Sequence, residues 1–257
     1  MYPHFNLASL FSKAFFAALF VAMFGGSALL TGAQAEVIVE TTRIIYPEVK
    51  REVTFKVVNV SKDKPALVQM WLDDGNASAT PEEAVTPFNL TPPVAKLKAD
   101  GSQVVRLTFT GEPLPSDRES VFWFNMLELP QKSNAENKLT FAIRTRIKVF
   151  FRPKQLKGEQ AEFMDQVTWK VVQKDGKWMA EATNPSPYHM SFFSLNFGNE
   201  GKFDLSIDGG MVPPKGTASF LIGDDKKITK PYSALRVEYV SDYGGSIAKE
   251  SAVKLGN

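Results

Sequence analysis

Few side chains in this chain are suited to making and breaking bonds. The sequence holds two histidines and no cysteine, which removes thiolate nucleophiles and every Cys/His zinc cluster. His4 lies in the N-terminal segment, so a Ser-His-Asp relay would have to use His189, beside the prolines of "NPSPYHM". No Gly-x-Ser-x-Gly elbow precedes it, and His189 reads as a packed or solvated loop histidine. Asp73 and Asp74, next to Gly75, could form half of a carboxylate pair or a calcium site. No matching acidic cluster stands at loop spacing, so they read as a turn of solvated acids. Phosphate-cradling and dinucleotide glycine fingerprints are missing too. The inventory predicts a protein that is not an enzyme and carries no cofactor and no metal.

Charge is arranged for binding instead. In "LTFAIRTRIKVFFRP", Leu139 to Pro153, the apolar Leu139, Phe141, Ile143, Ile147 and Val149 alternate with Thr140, Ala142, Arg144, Arg146 and Lys148. Successive side chains on a strand point to opposite faces, so this two-residue period predicts a β-strand. It is long beside the usual five or six residues, apolar on one face and basic on the other. The apolar face can be core or a displayed surface, and Arg144 and Arg146 read as an ordinary solvated face. Other charges sit among apolar neighbours: Arg43 in "TTRIIYP", Glu119 in "DRESVFWFN" and Asp242 in "SDYGG".

These residues need a scaffold, and the rest of the chain supplies a β-rich one. Residues 1–35 combine Lys13, the apolar run "AFFAALFVAMFGGSALL" and small residues at Ala33 and Ala35. That is the pattern of a Sec-type signal peptide cleaved near Ala35, rather than of a membrane anchor, so the mature chain is expected to be exported without membrane insertion. The remainder is long enough for two domains of about 100 residues. Its charge is close to balanced, with 30 Lys and Arg against 28 Asp and Glu over the whole chain, so nothing predicts a nucleic-acid partner. "EVTFKVVN" (52–59), "ALVQMWL" (66–72), "SQVVRLTFT" (102–110) and "SVFWFNMLEL" (120–129) read as strands between Pro, Gly, Asp and Asn turns. "RPKQLKGEQ" (152–160) reads as an interdomain linker. Beyond it, Asp175-Gly176 between "QVTWKVVQ" and "WMAEATN" signals a hairpin. The expected architecture is all-β, with two immunoglobulin-like sandwiches: 1–35 signal peptide, 36–155 first domain, 156–257 second domain.

Seven stretches, "TTRIIYP", "VQMWLDDG", "PFNLTPP", "DRESVFWFNMLELP", "LTFAIRTRIKVFFRP", "NPSPYH" and "SDYGG", resemble in order and spacing the periplasmic PapD-like chaperones of chaperone–usher pilus assembly. The resemblance covers nearly the whole mature chain. It implies two immunoglobulin-like domains in a boomerang arrangement, with a subunit-binding cleft between them. It implies that Arg43 and Lys148 anchor the C-terminal carboxylate of a pilin. Leu139, Phe141 and Ile143 would be lent to the pilin, whose own fold lacks a strand, in donor-strand complementation. Glu119, Arg152 and Asp242 would form a charge network that orients the domains. The implied partners are pilin or fimbrial subunits and an outer-membrane usher in the periplasm, and a self-capping homodimer is one state open to the free chain.

Two departures refine this resemblance. "QKSNAENK" (131–138) is short and cysteine is absent, which fits the short-loop class that assembles rod-like pili. The aromatic pair before "RP" is Phe150-Phe151, a mild change from the usual pattern. A structural or adhesive surface subunit built of the same sandwiches is the rival reading. Pilins of that system normally carry a disulfide and a C-terminal donor-accepting motif, and "ESAVKLGN" resembles neither.

Overall fold

The computed structural model describes residues 36–130, 141–199, 201–224 and 232–255. The expected signal peptide, the short loop at 131–138 and Leu139 lie outside the described residues. Two hydrophobic cores form, one from residues of 37–151 and one from residues of 164–240.

The first core sits between two sheets. One contains β1 (Val37–Val39), β3 (Val53–Asn59), β5 (Phe88–Thr91) and β7 (Ser102–Phe109), in the order β1-β3-β7-β5. The other contains β2 (Arg43–Pro47), β4 (Ala66–Asp73), β6 (Val94–Leu97), β8 (Ser120–Leu129) and β9 (Ile143–Arg152), in the order β2-β9-β8-β4-β6. The alternation read from the sequence sets the faces: Phe55, Val57, Val105 and Leu107 turn inward against Val68, Met70, Phe122, Phe124 and Val149. Tyr46 is fully buried and stacks on Phe151. Its hydroxyl accepts the Phe109 amide at 3.0 Å and faces the carbonyl of Arg51 at 3.0 Å, so the aromatic core leaves no lone hydroxyl.

The chain changes sheets between β1 and β2. β1 runs antiparallel to β3, whereas β2 runs parallel to β9 with Arg43 beside Lys148. Thr41 marks the bend: its hydroxyl donates to the Arg43 carbonyl at 2.6 Å, a local bond that competes with a continuous ladder.

β9 differs from the expected long strand in where it begins. It starts at Ile143, opposite Glu128, and the neighbouring strand stops at Leu129, before Pro130. A proline has no amide to continue a ladder. Phe141 and Ala142 therefore precede the strand and are exposed.

A short 3₁₀ helix, Gln160–Gln166, follows the linker. The second domain is one curled sheet of β10 (Thr168–Lys174), β11 (Lys177–Asn184), β12 (Met190–Asn199), β13 (Lys202–Asp208), β14 (Met211–Val212), β15 (Gly216–Asp224), β16 (Ala234–Val240) and β17 (Ser246–Leu255). The order is β13-β12-β16-β17-β10-β11-β15, with β14 on β12. Asp175 and Gly176 both take positive φ in the β10–β11 hairpin, the conformation that a two-residue Asp-Gly turn provides. Trp169, Phe192, Phe197 and Tyr239 fill the interior.

Candidate functional site

Among the described residues, β9 has two neighbours but only one along its first half. β8 flanks it from Ile143 to Phe151, while β2 reaches only from Lys148 to Arg152. Among the described residues, Ile143–Ile147 therefore keeps one edge of backbone donors and acceptors without a strand beside it. Alternation divides its side chains. Ile147, Val149 and Phe151 face the core, and Ile143, half-buried, lies on their side. Phe141, two residues earlier, is 60% exposed. Leu139, the third residue of the expected lent face, lies outside the described residues.

Where β2 begins, two cations stand side by side. Arg43 is only 7% exposed and Lys148 is half-buried. One Arg43 Nη donates to the Val240 carbonyl of the second domain at 3.2 Å, and the guanidinium lies 5.6 Å from the Phe150 ring centre. Its Nε is buried without a partner. Burial pushes Arg43 below its ordinary value, against the pull of Asp242 and Glu119. Burial, followed by the charges of Arg43 and Arg146, also pushes Lys148 down. The two carboxylates that favour the Arg43 charge are engaged by Arg152 instead. A half-buried cation pair with an open donor is suited to bind an anion.

Glu119, Arg152 and Asp242 are brought together across the two domains. The Arg152 Nε donates to Glu119 at 2.7 Å, and its two terminal nitrogens donate to the two Asp242 oxygens at 2.6 Å each. Burial works against the Arg152 charge, but the hydrogen bonds and fields of Asp242 and Glu119 outweigh it and hold the guanidinium firmly protonated. Sequence reading missed one member. His189 turns its Nδ1 to the second Glu119 oxygen at 2.9 Å, and its backbone amide donates to that oxygen at 2.8 Å. A carboxylate accepts, so Nδ1 carries the proton. The Glu119 amide also donates to the Pro187 carbonyl at 2.9 Å.

The reading of Arg144 and Arg146 as a solvated face, and of Asp73 as a solvated turn acid, is overturned. Asp73 is fully buried on the outer face of the second sheet. It binds Arg146 through both carboxylate oxygens and accepts the Asn125 amide group at 2.8 Å and the Gly75 backbone amide at 2.8 Å. Asn125 in turn accepts two bonds from Arg144, at 3.0 and 2.7 Å. The Arg144 guanidinium lies 4.7 Å from the Trp71 ring centre, and that of Arg146 lies 4.6 Å from Trp123. The cations are covered because two indoles and a buried carboxylate lie within reach across the sheet. A signal was present in the sequence: the i,i+2 pairs Trp71/Asp73, Trp123/Asn125 and Arg144/Arg146 each share one face of a strand.

Among the described residues, no group of three or more metal-ligating side chains clusters, and no helix is long and apolar enough to cross a membrane.

Residues 36–157 match the family "Pili and flagellar-assembly chaperone, PapD N-terminal domain", and residues 162–251 match "Pili assembly chaperone PapD, C-terminal domain". The chain is 37% identical over 232 residues to chaperone protein HifB of Haemophilus influenzae, covering 88% of this chain and 91% of that protein. Among solved structures, the Pseudomonas aeruginosa CupB2 chaperone aligns at 34% identity with a TM-score of 0.67, covering 84% of this chain and all of that one. The YadV chaperone aligns at 32% identity with a TM-score of 0.69, covering 85% of this chain and all of that one.

Proposed function

The chain belongs to the PapD-like family of pilus-assembly chaperones, and we propose that it captures pilin or fimbrial subunits in the periplasm by lending them the free half of β9. The observation that carries this reading is the coincidence of an open strand edge at Ile143–Ile147 with a cation pair, Arg43 and Lys148, at its closed end. Exposed edges are usually capped or charged because they template association with other chains. Here an incoming strand would pair with the edge through main-chain bonds, which hold regardless of the partner's side chains. Phe141 and Ile143, with Leu139, would enter the partner's incomplete core, each contributing on the order of 1.5–3 kcal/mol.

A partner's terminal carboxylate suits the cation pair, and it would fix register because a chain has only one such group. Its charge relieves the repulsion between Arg43 and Lys148 and offers an acceptor to the unpartnered Arg43 Nε. The Glu119–Arg152–Asp242 network, extended by His189, holds the second domain against the end of β9 that carries the cations. In this reading residues 1–35 are cleaved on export, the captured subunit is kept from self-association, and it is handed to an outer-membrane usher. Subunit folding drives the cycle and no nucleotide is required.

The test is co-production with a pilin subunit, followed by purification from periplasm. The wild type is expected to bring the subunit down, and Arg43→Ala to lose it while remaining folded. Undiminished recovery by Arg43→Ala and by Lys148→Ala together would refute the anchoring role.

A further inference from the structure

An edge strand held on one side only should fray, since half of its backbone groups have solvent as their sole partner. The open half of β9 is Ile143–Ile147, and the two polar side chains that leave this stretch on its outer face are Arg144 and Arg146. Both are tied down across β8 onto β4. We propose that Asp73, Asn125, Trp71 and Trp123 form a clasp that uses Arg144 and Arg146 to hold the open half of β9 straight, so that the edge is preorganised before a subunit arrives.

The clasp begins where strand pairing stops. Arg43, Lys148, Trp123 and Asp73 are successive neighbours on one rung across β2, β9, β8 and β4. Toward Arg152, β9 has ladders on both sides. Toward Ile143 the second ladder ends, and the Arg144 and Arg146 side chains reach across the outer face of the sheet instead. Arg146 spans from its own rung, opposite Asn125, to the buried Asp73 two residues along, on the rung of Lys148. Arg144 reaches further, donating to the Ala77 carbonyl at 2.7 Å beyond the β4 turn. The turn itself is shaped for the indole: Gly75 has φ +121°, and a Cβ there would stand 3.2 Å from the Trp123 ring. These are charge-assisted and bidentate bonds on a buried carboxylate, the kind that fixes geometry rather than one that a surface pair makes and breaks freely. Binding to a preordered edge avoids the entropy of straightening it at the moment of capture. Arg144 and Arg146 thus act as positioning residues, since their side chains face away from the partner's path.

This inference rests on the reading of β9 as the strand lent to subunits, but it is tested first on the free protein. Amide hydrogen exchange would be followed for Asp73→Asn and for Arg146→Lys, which keeps the charge and removes the fork. Those amides of Arg144–Ile147 that bond β8 are expected to exchange about tenfold faster or more. Amides of Val149–Arg152 should be unchanged, and recovery of co-produced subunits should fall. Arg144→Gln provides a milder lesion if Asp73→Asn does not fold. Unchanged exchange, acceleration spread evenly through the domain, or faster local exchange with full subunit recovery would each overturn the clasp. Lys148→Ala separates the two ideas: it should abolish subunit recovery with exchange at 144–147 untouched, and full recovery by that variant would count against the anchor and not against the clasp.

Discussion

Replacing Lys148 with methionine should strengthen the free fold slightly while destroying its binding, and the two effects have opposite signs for one reason. Methionine retains an apolar stem of similar length, so packing against β2 and β8 changes little. What disappears is a charge held in an unfavourable place. Adjacent strands lie about 4.8 Å apart, so the Lys148 and Arg43 charges stand at about 5–7 Å if the side chains run parallel. At an effective dielectric of about 20 their repulsion is then about 2–3 kcal/mol, an upper bound because long side chains can diverge. Removing it should leave the melting temperature unchanged or raise it by at most about 4–12 °C for a chain of this length. In the proposed complex the same charge would face the partner's terminal carboxylate. Losing one partner of such a desolvated pair costs about 2–5 kcal/mol, or roughly 30- to 5,000-fold in affinity.

Titration adds an independent check on Lys148→Met. The folded-state value of Lys148 lies below its ordinary one through burial and the charges of Arg43 and Arg146. In the window between that lowered value and about 10.4 the unfolded chain binds more protons than the folded one, so stability of the wild type rises with pH there. The Lys148→Met variant should lack this rise. Calorimetric unfolding between pH 7 and 10, paired with recovery of co-produced subunits, measures both halves. A drop of many degrees in melting temperature with normal subunit recovery would show that Lys148 is structural and refute the reasoning.

Phe141→Ser and Ile143→Ser should weaken subunit complexes while the free protein's melting temperature moves by no more than a few degrees, because Phe141 is exposed and Ile143 half-buried; a large drop in thermal unfolding would place them in the core. Glu119→Gln should cost about 3–5 kcal/mol in denaturant unfolding, since it removes the charge of the buried Glu119, leaving the half-buried Arg152 with one carboxylate fewer and His189 without its charged acceptor. Acid should release the Asp73 contribution. Burial raises the Asp73 carboxyl, but the hydrogen bonds of Arg146, Asn125 and Gly75 and the Arg146 charge together hold it below the usual carboxylate range. Its stabilisation is therefore full above about pH 4 and lost as pH falls through the lowered folded value, and Asp73→Asn should flatten that part of a pH–stability curve.

The strands were legible because their physics is local. Val53, Phe55 and Val57, or Val105 and Leu107, announce a buried face by alternation alone, and Asp175-Gly176 announces its turn by the backbone conformation that it tolerates. The interdomain trio was accessible only through resemblance, as nothing in the spacing of Glu119, Arg152 and Asp242 links them. His189 escaped for the same reason: a histidine reads as a loop residue until the fold lays it against Glu119. Arg144, Arg146 and Asp73 failed differently. Charge is taken as exposed by default, and that default gives way when two indoles and a carboxylate from other strands lie within reach. Periodicity assigns a face to each residue but does not say what covers that face.

The open edge itself is written in no motif. Had the parallel register of Arg43 with Lys148 continued backward, Val39 would lie beside Arg144 and Val37 beside Ala142, and β9 would be closed along its length. Instead β1 crosses to β3, where Val37 is buried opposite Asn59. Thr41 bends the chain between the two sheets, and the Glu128 carboxylate, from the strand that flanks β9, accepts the amides of Glu36 and Val37 at 3.2 and 3.3 Å. That bend does two things at once. It withholds a neighbour from Ile143–Ile147, and it starts β2 with a buried arginine at the point where the missing neighbour would have continued. The free edge and the cation pair at its closed end are thus consequences of a single change of sheet, and in the proposed complex a partner strand that pairs with the edge would be carried along the backbone toward the cations.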